Sequence, residues 1–200
     1  MKSYKTLNSC GKAQKEFKNS LFIGYARPVK GEAEAKAFIK RIKELHRDAN
    51  HNVSAYFVKE KSSFALKYDD DGEPAGSSGK PVFKILELRE ILNAVVVVTR
   101  YFGGIKLGFG GLSRAYRDTA LAAIEESGIV EVFEQVRFRI RLGYAESQKI
   151  RNLIEKYGVI REETYTDTVE FVVLVREELE NEFVKKLKDE TKNKAGLERL

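Results

Sequence analysis

Six consecutive residues, Ala94-Val95-Val96-Val97-Val98-Thr99, set the strongest constraint on how this chain folds. A strand with one face in water alternates apolar and polar side chains, because successive side chains point to opposite faces. This run does not alternate, so it belongs at the centre of a sheet covered on both faces. It is the longest apolar run, and at six residues it falls far short of the ~18 a membrane span requires.

Helical periodicity supplies candidates to cover such a strand. Ala35, Phe38, Ile39, Ile42 and Leu45 share one helical face, with Lys36, Lys40, Arg41 and Lys43 outside that stripe, so the helix has a basic outer surface. Val82, Ile85, Leu86 and Leu92 predict a helix over 81–92, with Pro81 in its first turn after the capping-type Ser77-Ser78. A glycine-rich loop over 103–111 opens a further helix running to Glu126 and closed by Gly128. Its alanines at 115, 120, 122 and 123 permit close packing. Strands are expected at Leu21–Ala26, stopped by Arg27-Pro28, and at 53–58 and 64–68.

Near residue 135 the pattern restarts. Val136, Phe138, Ile140 and Leu142 alternate with Arg137, Arg139 and Arg141 as a strand does. A helix over 146–157, strands near 159–165 and 169–175, and a helix over 177–192 follow. This order predicts a ferredoxin-like unit whose final strand is short or missing. The fold class expected is α+β, with an N-terminal domain over 1–135 and a C-terminal ferredoxin-like domain over 136–200.

Cys10 is the sole cysteine, and His46 and His51 are the only histidines. No intrachain disulfide or cysteine-based zinc cluster is open to the chain, and no cofactor or metal is expected. Cys10 reads as a surface residue in a polar segment. The first residues have no apolar stretch behind them to serve as a signal peptide, so the expected location is cytoplasmic. Charge is unevenly spread: residues 1–67 carry 15 basic and 6 acidic side chains, residues 68–135 carry 7 and 11, and residues 136–200 carry 14 and 13. A basic first third points to a polyanionic partner, although lysines that merely confer solubility give the same pattern.

Four motifs, in order, resemble those of the IMPACT family. They are Phe17-Lys18-Asn19-Ser20-Leu21-Phe22-Ile23-Gly24, then Asp48-Ala49-Asn50-His51-Asn52-Val53-Ser54-Ala55-Tyr56, then the stretch from Asp70-Asp71-Gly72-Glu73-Pro74 through Gly76-Ser77-Ser78-Gly79-Lys80-Pro81. The fourth and most distinctive runs from Arg100-Tyr101-Phe102-Gly103-Gly104 through Lys106-Leu107-Gly108-Phe109-Gly110-Gly111 to Arg114-Ala115-Tyr116. The resemblance implies a ribosomal-protein-like N-terminal α/β sandwich with a left-handed βαβ crossover. It also implies a C-terminal domain similar to the last domain of elongation factor G. Ser77-Ser78 stands where the family more often has Thr-Ala. Eukaryotic relatives regulate translation under amino-acid starvation by competing for an activator of an initiation-factor kinase. Prokaryotes lack that pathway, so only the theme of translation and stress response carries over.

The chemistry centres on the glycine loop. Gly103, Gly104, Gly108, Gly110 and Gly111 leave backbone amides uncovered before a helix N-terminus, which favours anions. Arg100, Lys106 and Arg114 would add charge-assisted bonds to phosphate. Tyr101 and Tyr116 are the better candidate rings for base stacking, with a hydrogen-bonded core tyrosine as the alternative, and Phe102 is as readily core as exposed. The bland alternative is a tight turn between buried strand and packed helix. No Gly-Lys-Ser/Thr closes the loop, so it is not a P-loop. Asp70, Asp71 and Glu73 form an acidic turn that, with His51 and Asn52, is expected to shape the site. Asp70 or Glu73 would pair with Arg100 or Arg114. Arg137, Arg139 and Arg141 either track a phosphate backbone or pair with Glu162, Glu163 or Glu170.

The leading expectation is a non-catalytic binding protein for nucleic acid, RNA ahead of DNA, or for the ribosome or a translation factor. A metal-assisted hydrolase using Asp70, Asp71, Glu73 and His51 is one rival. A protein–protein adaptor is the other.

Overall fold

The computed structural model describes residues 3–60 and 63–200. The chain divides into two compact units, Tyr4–Val132 and Phe133–Leu200.

The first unit runs β1 (Ser3–Leu7), β2 (Gly11–Phe17), β3 (Ser20–Pro28), α1 (Glu32–Leu45), β4 (His51–Glu60), β5 (Ser63–Asp69), α2 (Gly79–Leu88), β6 (Ala94–Tyr101), α3 (Gly108–Ser127) and β7 (Ile129–Phe133). Strands β2-β3-β6-β4-β5 form an antiparallel sheet with the valine run at its centre, while β1 and β7 pair in a separate ribbon. Val95 to Val98 are wholly buried. Val96 and Val98 pack under α2 and α3, and Val95 and Val97 under α1. Each such valine is worth about 1.5–3 kcal/mol of transfer from water.

The connections fix a topological consequence. β3-α1-β4 and β5-α2-β6 each join parallel strands across one intervening strand. Between the two crossovers the strand direction reverses, the direction of travel across the sheet reverses, and the helix changes face. Three reversals give opposite hands, so one of the two must be left-handed, against the near-universal right-handed rule.

Four elements depart from expectation. β1, β2 and β7 were not read from the sequence. β2, Gly-Lys-Ala-Gln-Lys-Glu-Phe, is an edge strand whose core side carries Gly11, Ala13, Lys15 and Phe17 with Lys15 exposed, so its composition is polar. The helix expected over 81–92 stops at Leu88, where Glu90 takes a left-handed conformation (φ 58°) and the Ile91 amide donates to the Leu86 carbonyl at 2.8 Å. Ile91 and Leu92 are buried all the same, as core residues of a loop.

The second unit runs β8 (Gln135–Leu142), α4 (Tyr144–Tyr157), β9 (Gly158–Tyr165), β10 (Val169–Arg176), a 3₁₀ turn (Glu177–Leu179), α5 (Glu180–Thr191) and β11 (Gly196–Arg199). Its sheet order, β11-β8-β10-β9, is the ferredoxin-like arrangement of a βαββαβ chain, all antiparallel. The final strand is present and four residues long. Val136, Phe138, Ile140 and Leu142 enter its core with Ile150, Ile154, Phe171 and Phe183. On the opposite face Arg137 pairs with Glu162 at 2.8 Å, Arg141 with Glu170 at 2.8 Å, and Arg139 with Glu198 at 2.9 Å and Glu170 at 3.2 Å. The arginine row is thus laced to carboxylates; Glu163 pairs instead with Arg151.

Candidate functional site

Glu73 is the hub of the site. Its Oε1 accepts from Arg100 Nη1 at 2.7 Å and from the Tyr116 hydroxyl at 2.8 Å. The Arg100 and Glu73 side chains are 6% and 3% exposed. The guanidinium lies 5.4 Å from the centre of the Phe22 ring and 5.1 Å from that of Phe102. Burial first, then the Glu73 carboxylate, pushes the Tyr116 phenol far above its ordinary range, so it donates and does not ionise.

Two expected roles change here. Tyr116 is wholly buried, edge-on to Phe22 at 5.0 Å, and offers no face for stacking. Arg100 is 5% exposed and paired with Glu73, so its charge is answered within the protein and it is not an exposed cation like Lys106 or Arg114. A third correction concerns Tyr101. Neighbours in a strand point to opposite faces, so Tyr101 lies on the α1 side of the sheet, away from Arg100 and the helix α3. Its hydroxyl meets His46 Nδ1 at 2.8 Å and Asp48 at 3.2 Å, and His46 Nε2 meets the Tyr25 hydroxyl at 2.7 Å. Burial, partly opposed by Asp48, lowers the His46 pKa; burial and Asp48 raise that of Tyr101. The exposed rings beside the glycine turn are instead Phe102 and Phe109, at 44% and 59%, so Phe102 is not core.

The acidic turn is spent on the protein itself. Asp70 accepts from the amides of Gly76, Ser78 and Gly79 at 2.7–3.0 Å and from the Ser78 hydroxyl at 2.6 Å, closing the N-terminus of α2. Burial raises its pKa, but these four bonds outweigh that and hold it below the usual range. Asp71 pairs with Lys43 at 2.5 Å and accepts from the Asn52 amide at 2.6 Å. Asn52 itself bridges, its Oδ1 accepting from Thr99 and its Nδ2 donating to the His46 carbonyl. His51 Nδ1 lies 2.8 Å from the Asp71 carbonyl, which can only accept. Nδ1 therefore donates this bond, and Nε2 lies 3.9 Å from Glu73 Oε1.

The N-terminus of α3 is unlike that of α2. Among the described residues no side chain hydrogen-bonds to its leading amides, and its first turn is Gly108-Phe109-Gly110-Gly111. Half of the loop read from the sequence is thus already helix. Gly104 (φ 86°) and Gly108 (φ 71°) are left-handed, which a side chain resists by about 1–2 kcal/mol. Gly103 serves a different need: a Cβ there would lie 2.0 Å from the Asn19 carbonyl oxygen. Asn19 and Lys18 are the left-handed turn residues between β2 and β3, so the loop rests on that hairpin.

Gly104, Gly108 and Gly110 are exposed, as are Lys106 and Arg114, and neither cation pairs with any described residue. A pocket of 390 Å³ opens on one side of the turn, lined by His51, Glu73, Arg100, Phe102, Lys106 and Gly108 among others. A second, of 350 Å³, lies on the other side between Phe17, Lys18, Leu107, Gly110, Gly111 and Arg114. Lys18 was not counted as a site residue from the sequence, and its place in the first motif is the only signal that could have flagged it. Chemically, this is a buried, ion-paired floor beside the glycine-rich start of a 20-residue helix, flanked by three exposed cations.

The class is therefore a two-unit α/β protein with a glycine-rich, uncapped helix N-terminus that is not a P-loop. Comparison with known proteins supplies the family. Residues 18–124 match the Impact N-terminal domain, and residues 140–194 match a domain of unknown function, DUF1949. The chain is 37% identical over 196 residues to the IMPACT family member YvyE of Bacillus subtilis, covering 98% of this chain and 90% of that one. It is 37% identical over 147 residues to an IMPACT family member of Haemophilus influenzae, covering 73% and 71%. A crystal structure of a hypothetical protein superposes over 100% of this chain and 98% of its own, with a TM-score of 0.65 and 30% identity. The chain belongs to the IMPACT family. No helix among the described residues is long and apolar enough to cross a membrane.

Proposed function

We propose that this is a non-catalytic binding protein of the translation apparatus that holds the phosphates of RNA, free or in the ribosome, at the N-terminus of α3. The observation that carries this reading is the contrast between the two helices. α2 has its leading amides satisfied by Asp70, whereas α3 presents glycine amides to solvent between Lys18, Lys106 and Arg114. Partial positive charge at the helix end and full charge on those side chains act together on an anion. Phe102 and Phe109 add exposed faces on which splayed bases stack, which favours single-stranded RNA over duplex DNA. The regulation of translation by eukaryotic members of the family supports the setting, and such a role belongs in the cytoplasm.

The hydrolase reading gains less. Asp70, Asp71 and Glu73 face three different partner sets, and among the described residues no three potential ligands gather around one point. A ribosomal or translation-factor protein remains the alternative contact.

Anisotropy of a labelled single-stranded RNA, titrated from about 50 to 200 mM salt, tests the reading. Affinity should fall linearly on a log–log plot, and Lys106→Ala and Arg114→Ala should each reduce the slope by about 0.7. Undetectable binding at low salt, or binding that both variants leave intact, would remove RNA and favour the adaptor.

A further inference from the structure

The basic outer row of α1 lies on the other face of the sheet from the glycine turn, and of its members Lys43 alone, through Asp71, touches the acidic turn described above. Lys36, Lys40, Lys43 and, just beyond the helix, Arg47 recur at intervals of four, three and four residues, so they form one ridge. Lys67 of the edge strand β5 faces them across an open groove of 590 Å³. Some of this charge is answered locally: Lys36 meets Glu32 at 3.0 Å, Lys43 meets Asp71 at 2.5 Å and Asp69 at 3.8 Å, and Lys40 meets Glu44 at 3.9 Å. Arg47 and Lys67 form no ion pair with any described residue. The groove lining still holds five cations against Glu44 and Asp69.

Beneath this rim the floor is Ile39 and the edge of Tyr56. The Tyr56 ring is 2% exposed and its hydroxyl donates to Glu32, so it is no stacking platform for a base. A phosphate backbone would use the rim and leave the apolar floor wet. An acidic helix uses both, because carboxylates repeated at the same four-three-four spacing lie along the ridge while one apolar side chain of the same face descends between them. We propose that this groove docks an acidic amphipathic helix of a partner protein. Charge complementarity sets its orientation and on-rate, and the Ile39–Tyr56 floor anchors it.

The test uses the full chain and a labelled synthetic helical peptide carrying glutamates at i, i+4, i+7 and i+11 with a leucine on that face. A second peptide of the same composition spreads the glutamates around the helix. The patterned peptide should bind, and Lys40→Glu combined with Arg47→Glu should weaken it about tenfold, since two attractions become repulsions at exposed positions. Lys106→Ala with Arg114→Ala should leave peptide binding unchanged, which keeps this groove distinct from the glycine turn. Circular dichroism of the reversed variant should match the parent. Equal binding of both peptides, no binding of either, or indifference to the reversal would overturn the proposal. So would loss of single-stranded RNA binding in place of peptide binding on reversal, which would assign the ridge to nucleic acid.

Discussion

At the scale of single residues the molecule depends on a buried pair. Glu73→Ala would leave the Arg100 guanidinium unpaired where it is 6% exposed, at a cost of about 3–5 kcal/mol. The urea midpoint should drop accordingly, and Glu73→Leu with Arg100→Met should recover much of the loss; a drop under about 1 kcal/mol would mean the charge finds water. Two glycines make a second contrast. Gly103→Ala drives a Cβ into the Asn19 carbonyl, and should cost about 1–3 kcal/mol, whereas Gly110→Ala meets nothing within 4 Å and should leave the urea midpoint within about 0.5 kcal/mol or raise it. The sequence motif brought Arg100, Tyr101, Glu73 and Tyr116 to notice without giving them their places. Strand parity alone separates Arg100 from Tyr101, so that correction was available from adjacency. The burial of Tyr116 was not, because a tyrosine two turns into a helix reads alike whether its hydroxyl meets water or a distant carboxylate.

At the scale of elements, the α2 N-terminus is closed by Asp70, a carboxylate eight and nine residues before the amides of Ser78 and Gly79. Its pKa is depressed in the folded chain, so its stabilisation is present above the unfolded value near 3.9 and is lost as pH falls through the lower folded value. Asp70→Asn should therefore cost about 0.5–2 kcal/mol at pH 7, and the gap in urea midpoint should begin to close below about pH 4 and vanish once the pH is below the depressed folded value. A gap that persists there would assign the effect to shape and not to charge. The valine run and the apolar stripes made β6, α1, α2 and α3 legible, since burial of a whole face leaves a periodic record. The edge strand β2 leaves none: one side is solvent, and the other needs only Gly11, Ala13 and Phe17 to meet the core.

At the scale of the whole molecule, each unit closes its own core. The buried set of Phe133–Leu200 draws on Val136, Ile140, Ile150, Phe171 and Phe183 from within that segment. Residues 133–200 expressed alone should unfold cooperatively in urea with a stability of about 3–5 kcal/mol, as small single cores do; a chain without a transition would contradict this. The βαββαβ order was readable because short alternating strands and amphipathic helices succeed one another there without insertion. The left-handed crossover in Tyr4–Val132 was legible only through the family resemblance and not from periodicity, since handedness follows from which face each helix takes. The proposed function requires the start of α3 to be an anion cradle. Amide NMR of the intact chain during titration with single-stranded RNA reads it directly. The amides of Gly108, Gly110 and Gly111 should shift together and return as salt is raised; shifts confined to other residues, with these three unmoved at saturation, would contradict it.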